Sequence, residues 1–85
     1  MSITVKNETA NEINVSINKW GRDGDTSYFK IKSQKSETWD RSDDRGFVMY
    51  LSESGILDGP YYVRAGSTVT FQSNGKVNGA IKIPG

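Results

Sequence analysis

The chain has no cysteine and no histidine, and proline appears only twice in its 85 residues. Without cysteine there is no disulfide and no thiol nucleophile. Without cysteine or histidine the ordinary zinc ligands are also missing. A cysteine-free chain suits a reducing compartment. No apolar run approaches the ~20 residues that a membrane-spanning helix requires. The opening Met1-Ser2-Ile3-Thr4-Val5-Lys6 alternates like a strand and lacks the apolar core of a secretory leader, so a cytoplasmic location is expected. The chain also lacks an excess of either charge: 11 Lys and Arg face 10 Asp and Glu, a formal net charge of +1. Such a balance gives no footprint for a polyanion, and nucleic acid is not an expected partner. Asn7-Glu8-Thr9 and Asn14-Val15-Ser16 match the glycosylation pattern. With no leader in view they read as chance in a chain rich in Asn, Ser and Thr.

Helical periodicity is the remaining absence. Apolar residues alternate with polar ones, and turn signals recur every few residues, the pattern of an all-β domain. Ile3 and Val5 open one strand; Ile13, Val15 and Ile17 make a second, alternating with Asn14, Ser16 and Asn18. Phe29 and Ile31 continue the apolar face, and Ser36 to Trp39 form a short strand. Phe47 to Leu51 is apolar on both faces and reads as a central strand. Ser54-Gly55 signals a hairpin, with Ile56 to Gly59 in the same connection and Pro60 at an edge or strand start. Tyr61 to Val63 and the alternating Val69 and Phe71 follow, then Asn74-Gly75 as a turn signal, then Ile81 and Ile83. The expected core is Ile3, Val5, Ile13, Val15, Ile17, Phe29, Ile31, Phe47, Met49, Leu51, Val63, Val69, Phe71 and Ile81. Seven or eight short strands without a helix predict a small antiparallel β-sandwich, with residues 1–85 forming one domain.

Two segments interrupt this alternation. Lys19-Trp20-Gly21-Arg22-Asp23-Gly24-Asp25 and Thr38-Trp39-Asp40-Arg41-Ser42-Asp43-Asp44-Arg45-Gly46 each place a Trp beside Arg, Asp and Gly. Both tryptophans fall within them. A sugar ring has an apolar C–H face, on which an exposed aromatic ring stacks, and a rim of hydroxyls that Asp and Arg can hydrogen-bond. The candidate carbohydrate-binding residues are therefore Trp20, Arg22, Asp23 and Asp25 from the first segment, and Trp39, Asp40, Arg41, Asp43 and Arg45 from the second. Tyr61 or Tyr62, whichever faces out, could add a wall. A competing assignment stays open for every one of them: each Trp as a core residue at a strand end, each charged run as a solvated loop paired within itself.

Other chemistries fit less well. A serine nucleophile has no histidine to serve it, and a Ser-Lys pair has no signature here. Asp40, Asp43 and Asp44 cluster, but paired carboxylates hydrolyse glycosides only across a defined cleft, and so short a chain has little room for one. An enzyme is not expected. The EF-hand pattern is missing, and no metal or other cofactor is expected. Gly21-Arg22-Asp23-Gly24 lacks the spacing and the Lys-Ser/Thr ending of a phosphate loop.

Three stretches taken together carry a family resemblance: Ile13 to Gly21, Ser36 to Asp43, and Arg45 to Tyr50. The pattern resembles small cysteine-free fungal fruiting-body defence lectins. That resemblance implies a cytoplasmic β-sandwich acting as a homodimer on glycans of glycoproteins or glycolipids. The same layout resembles the aegerolysins, β-sandwich proteins that bind membrane lipids, although this chain is shorter and lacks their Trp-rich C-terminal region. The expected function is thus a non-enzymatic lectin, with lipid-headgroup binding as the alternative. A shallow sugar site binds weakly, so a dimer would supply avidity. Val48 and Tyr50, on the alternate face of the central strand, are the candidates for burial against a partner.

Overall fold

Alternation on this chain builds two sheets that share one core. The computed structural model describes residues 2–18, 28–41, 43–53 and 55–83. Among them run nine strands: β1 (Ile3–Glu8), β2 (Ile13–Ile17), β3 (Phe29–Ile31), β4 (Ser36–Trp39), β5 (Phe47–Glu53), β6 (Ile56–Val63), β7 (Thr68–Gln72), β8 (Val77–Asn78) and β9 (Ile81–Lys82). One sheet has the order β4-β1-β7-β8 and the other β3-β2-β5-β6-β9. Every pairing is antiparallel except β1 with β7, which is parallel. The expected small β-sandwich is therefore what the chain forms, with two-residue β8 and β9 raising the strand number to nine.

Period-2 alternation sends Ile3 and Val5 of β1, Ile13, Val15 and Ile17 of β2, Phe47, Met49 and Leu51 of β5, and Val69 and Phe71 of β7 into the space between the sheets, where all are buried. Each such side chain contributes roughly 2 kcal/mol on leaving water. Five expectations about the core and strands are corrected. Phe29 and Ile81 remain exposed, while Trp39 and Tyr61 are buried with the core. Phe29 does sit at an inward register position, opposite Val15, but on a three-residue edge strand, where it stays 39% exposed. Ile81 pairs with Tyr62 and so faces outward. Residues 56–59 belong to a strand: Ile56, Leu57 and Asp58 pair with Glu53, Ser52 and Leu51. The ladder shifts register between Met49 and Leu51, and this irregularity accommodates the cis Gly59-Pro60 peptide inside a strand, as prolines at bulges do.

The crossing from β1 to β2 is held by a buried polar knot. The Asn7 side chain is 1% exposed. Its Nδ2 donates to the carbonyls of Asn11 at 2.7 Å and Ile31 at 2.9 Å. Its Oδ1 accepts from the backbone N–H of Thr9 at 2.9 Å and the Thr9 hydroxyl at 2.6 Å. The Thr9 hydroxyl also lies 2.9 Å from the Asn11 carbonyl, which shares the hydroxyl's one proton with Asn7 Oδ1, and Ser33 Oγ and Gln34 Nε2 donate to the Thr9 carbonyl. Buried polar groups are tolerated when every member has a partner. With its amide committed in this way, Asn7 cannot serve as a glycan acceptor in the folded chain. Asn7→Ala should destabilise the protein by about 3 kcal/mol, because it strands buried donors and acceptors. Urea titration followed by Trp fluorescence measures this, and a loss below about 1 kcal/mol would show that the turn holds without the knot.

Candidate functional site

One side of the sandwich is not closed. β3 is the edge of one sheet and β4 the edge of the other. Each carries an inward-register residue that stays in solvent: Phe29, opposite Val15 and 39% exposed, and Glu37, opposite Val5 and likewise exposed. Between them lies a cleft of about 190 Å³ lined by Phe29, Glu37, Thr38, Trp39, Asp40 and Arg41. It lies below the ~300 Å³ lower end of pockets for drug-sized ligands.

Trp39 stands opposite Ile3, on the inward side of β4. It is 5% exposed and part of the core. It therefore walls the cleft from below instead of standing free as a stacking platform, which corrects the picture of an indole at a wet rim. Its ring meets Phe29 edge to face, with centroids 5.9 Å apart at 79°, a favoured aromatic geometry. Its Nε1 is buried without a hydrogen-bond partner among the described residues. An unmet buried donor costs about 1–3 kcal/mol and is uncommon enough in native structures to call for a reason.

Arg41 is also buried, at 6% exposure. Its Nε donates to the Asn18 carbonyl at 3.0 Å, Nη1 to the Asp40 carbonyl at 3.1 Å, and Nη2 to the Ile17 carbonyl at 3.2 Å. The guanidinium fork thus ties the segment after β4 to the end of β2, and these three donors are spent on backbone. Asn18 in turn accepts from the Val48 N–H through its side chain, extending the β2–β5 pairing.

Asp43 and Arg45 pair with each other. Arg45 Nε donates to Asp43 Oδ1 at 3.0 Å, Nη2 to Oδ2 at 2.7 Å, and the Arg45 backbone N–H to Oδ1 at 2.8 Å. The Arg45 side-chain hydrogen bond, aided by its backbone N–H and its charge, lowers the Asp43 carboxyl to about 2. Asp40 is exposed at the cleft. Trp20, Arg22, Asp23 and Asp25 lie outside the described residues. The residues that flank that segment stand beside the cleft, Asn18 bound by Arg41 and Tyr28 preceding Phe29 and half exposed.

The structure thus brings Trp39, Asp40 and Arg41 to one cleft and commits Asp43 and Arg45 to each other. It adds Glu37, and Phe29, which the sequence places in the core and not at a site. A signal for Glu37 exists: a carboxylate two residues before a buried Trp, on the same side of a strand. Inward charges on edge strands also discourage edge-to-edge pairing, so the signal is not specific to binding.

At the opposite edge, beside a cleft of about 240 Å³ lined by Leu51, Glu53, Ile56, Asp58, Phe71 and Gly75, Tyr61, Asp58 and Lys82 are joined. Tyr61 Oη donates to Asp58 Oδ2 at 2.8 Å, and Lys82 Nζ donates to Asp58 Oδ1 at 3.0 Å while sitting 5.6 Å from the Tyr61 ring centroid. Burial first, then the hydrogen bond to Asp58 and its charge, push the Tyr61 phenol up to about 12. Tyr61 is accordingly a core residue, and its neighbour Tyr62 is the half-buried, outward one.

No family model matches the chain, and no curated protein or solved structure matches it.

Two outcomes are expected. Arg41→Met should cost about 2 kcal/mol in denaturant titration, by stripping donors from the Ile17 and Asn18 carbonyls, and Arg41→Lys should not restore it because an ammonium lacks the planar fork. Asp43 has a depressed pKa, so its contribution to stability is complete above the ordinary carboxylate value of 3.8 and is lost as pH falls through about 2. Carboxyl NMR titration should place Asp43 near 2, and Arg45→Gln should move it back toward 3.8.

Proposed function

We propose that this protein is a non-enzymatic carbohydrate-binding module that holds a saccharide unit in the β3–β4 cleft. One observation carries the reading: an open mouth of the core where an exposed Phe29, a buried Trp39 with an unmet N–H, and the exposed carboxylates of Glu37 and Asp40 line one small recess. A pyranose ring presents an apolar face suited to Phe29 and hydroxyls whose protons the carboxylates can accept. Charge-assisted bonds of this kind are stronger than neutral ones. Arg41 supports the floor instead of meeting the ligand with its whole fork, since three of its donors already go to carbonyls. The first Trp segment, Trp20 with Arg22, Asp23 and Asp25, remains part of the proposal as the connection flanked by Asn18 and Tyr28.

The proposed setting is a cytoplasmic defence lectin acting on cell-surface glycans, in line with the resemblance to fungal fruiting-body lectins. The resemblance to aegerolysins supplies the competing ligand, a membrane lipid headgroup. Inorganic cofactors have no role in this reading.

A glycan array run with and without chelator tests it. Binding should be insensitive to chelator. Phe29→Ala and the double change Glu37→Gln with Asp40→Asn should each weaken the strongest hit at least tenfold, about 1.4 kcal/mol, with near-UV circular dichroism unchanged. The Trp39 indole N–H resonance should shift on titration with that sugar. Binding to protein-free, glycan-free vesicles with no glycan hit on the array would transfer the reading to lipid.

A further inference from the structure

Two carboxylates border the β3–β4 cleft, and the partners of the acidic groups around the molecule set them apart. Asp43 is paired with Arg45, and Asp58 with Lys82. Glu37 and Asp40 line the cleft and are exposed, and among the described residues neither side chain has a hydrogen-bond or ion-pair partner. Glu37 has an explanation that needs no ligand, because an inward charge on an edge strand discourages pairing with another edge. Asp40 does not share that explanation. It lies beyond the end of β4 and off the ladder with β1. Arg41 is the one cation among the described lining residues. It is buried, and three of its donors go to the carbonyls of Ile17, Asn18 and Asp40. Its charge is thus held against main chain, while both carboxylates stand in solvent beside the exposed Phe29.

We propose that the cleft selects a saccharide unit bearing a protonated primary amine, whose ammonium is shared by Glu37 and Asp40. This rests on the saccharide reading above and names which sugars the cleft takes. A sugar hydroxyl has one proton to give and serves one carboxylate. An ammonium has three donors and no acceptor, so it can serve two carboxylates at once through charge-assisted bonds. Phe29 suits this ligand as well, since an aromatic ring attracts a cation. A uronic acid would set its own carboxylate against two others, and like charges brought together oppose binding. A bare metal ion is the poorer occupant: no group of three or more acidic side chains gathers among the described residues, whereas an ammonium is satisfied by two. The preference is local to the cleft. The whole chain carries a formal net charge of +1, so its overall field does not gather cations.

NMR titration of the full chain with methyl glycosides tests this. The probes are the glycosides of glucosamine, glucose, N-acetylglucosamine and glucuronic acid, together with their galacto counterparts. Within each series the ring is shared and the charge changes. In at least one series the amino glycoside should bind about tenfold or more tightly than its hydroxyl and acetamido counterparts, and the uronide should bind least. Added sodium chloride should narrow the gap. Glu37→Gln with Asp40→Asn removes charge and keeps shape at two exposed positions. Circular dichroism should therefore be unchanged while the amine-to-hydroxyl ratio falls toward one. Glu53→Gln, in the cleft at the opposite edge, should leave the ratio as it was. Ethanolammonium chloride carries the ammonium of a lipid headgroup without a sugar ring and should bind more weakly than the amino glycoside.

Equal affinity for amino and hydroxyl glycosides, a uronide that binds as tightly as the amine, ethanolammonium that matches the amino glycoside, or a ratio that survives the double variant overturns the proposal. Its failure differs from that of the saccharide reading. Neutral glycosides that bind through Phe29 with no preference for the amine sink the amine alone. No shift at the cleft with any glycoside sinks both.

Discussion

Each sheet of this protein has one face that cannot stay in water, and the two faces can only be hidden against each other. Ile3, Val5, Ile13, Val15, Ile17, Met49, Leu51 and Val69 are completely buried, drawn from strands in both sheets. That single shared layer carries most of the stability available to a chain with no disulfide, since hydrophobic burial is the dominant favourable term in folding. It also fixes register, because a slip by one residue would move a whole strand's apolar set into solvent. The chain obeys this constraint by crossing repeatedly between sheets. β1 is followed by β2 in the other sheet, β3 by β4, β4 by β5, β6 by β7 and β8 by β9.

Those crossings leave backbone groups inside the protein, away from ladder partners, and two polar side chains answer for them. Asn7 closes the β1–β2 and β3–β4 crossings on each other by binding the Asn11 and Ile31 carbonyls. Arg41 does the same at the β4–β5 crossing with the carbonyls of Ile17 and Asn18. Both act as structural hydrogen-bond donors to main chain, one neutral and one cationic. The cleft follows from the same geometry. Edge strands β3 and β4 are short, so their inward residues Phe29 and Glu37 reach past the end of the core, and Trp39 closes the bottom. A cleft made this way rests on strands, which hold side chains more closely in place than loops do.

Much of the architecture could be read from residue order. The strands at Ile3, Ile13, Phe47 and Val69 and the turn at Asn74-Gly75 follow from local alternation and from a glycine suited to positive φ, 82° at Gly75. The Trp39 environment was harder. Ser36-Glu37-Thr38-Trp39 places an acid and an indole on one side of a strand, and nothing local says that the acid emerges at an open mouth while the indole enters the core. The roles of Arg41 and of Asp43 with Arg45 were equally hidden, because the same Arg-Asp composition serves backbone clamping, ion pairing or ligand binding according to what lies across from it. Residues 56–59 read as part of the connection signalled by Ser54-Gly55, with Pro60 at a strand start, yet the ladder with β5 shifts register and Ile56, Leu57 and Asp58 stay paired.

The sequence by itself determined the strand periodicity, the all-β class and most of the inward-facing residues, because period-2 alternation is a property of consecutive residues and needs no partner to be visible. Only the tertiary structure decided which inward positions are covered. Phe29 and Glu37 end at an uncovered lip and Trp39 beneath it, while Tyr62 and Ile81 end on an apolar outer face. Coverage depends on which strands become edges and what packs across from them, and those relations join residues far apart in the chain.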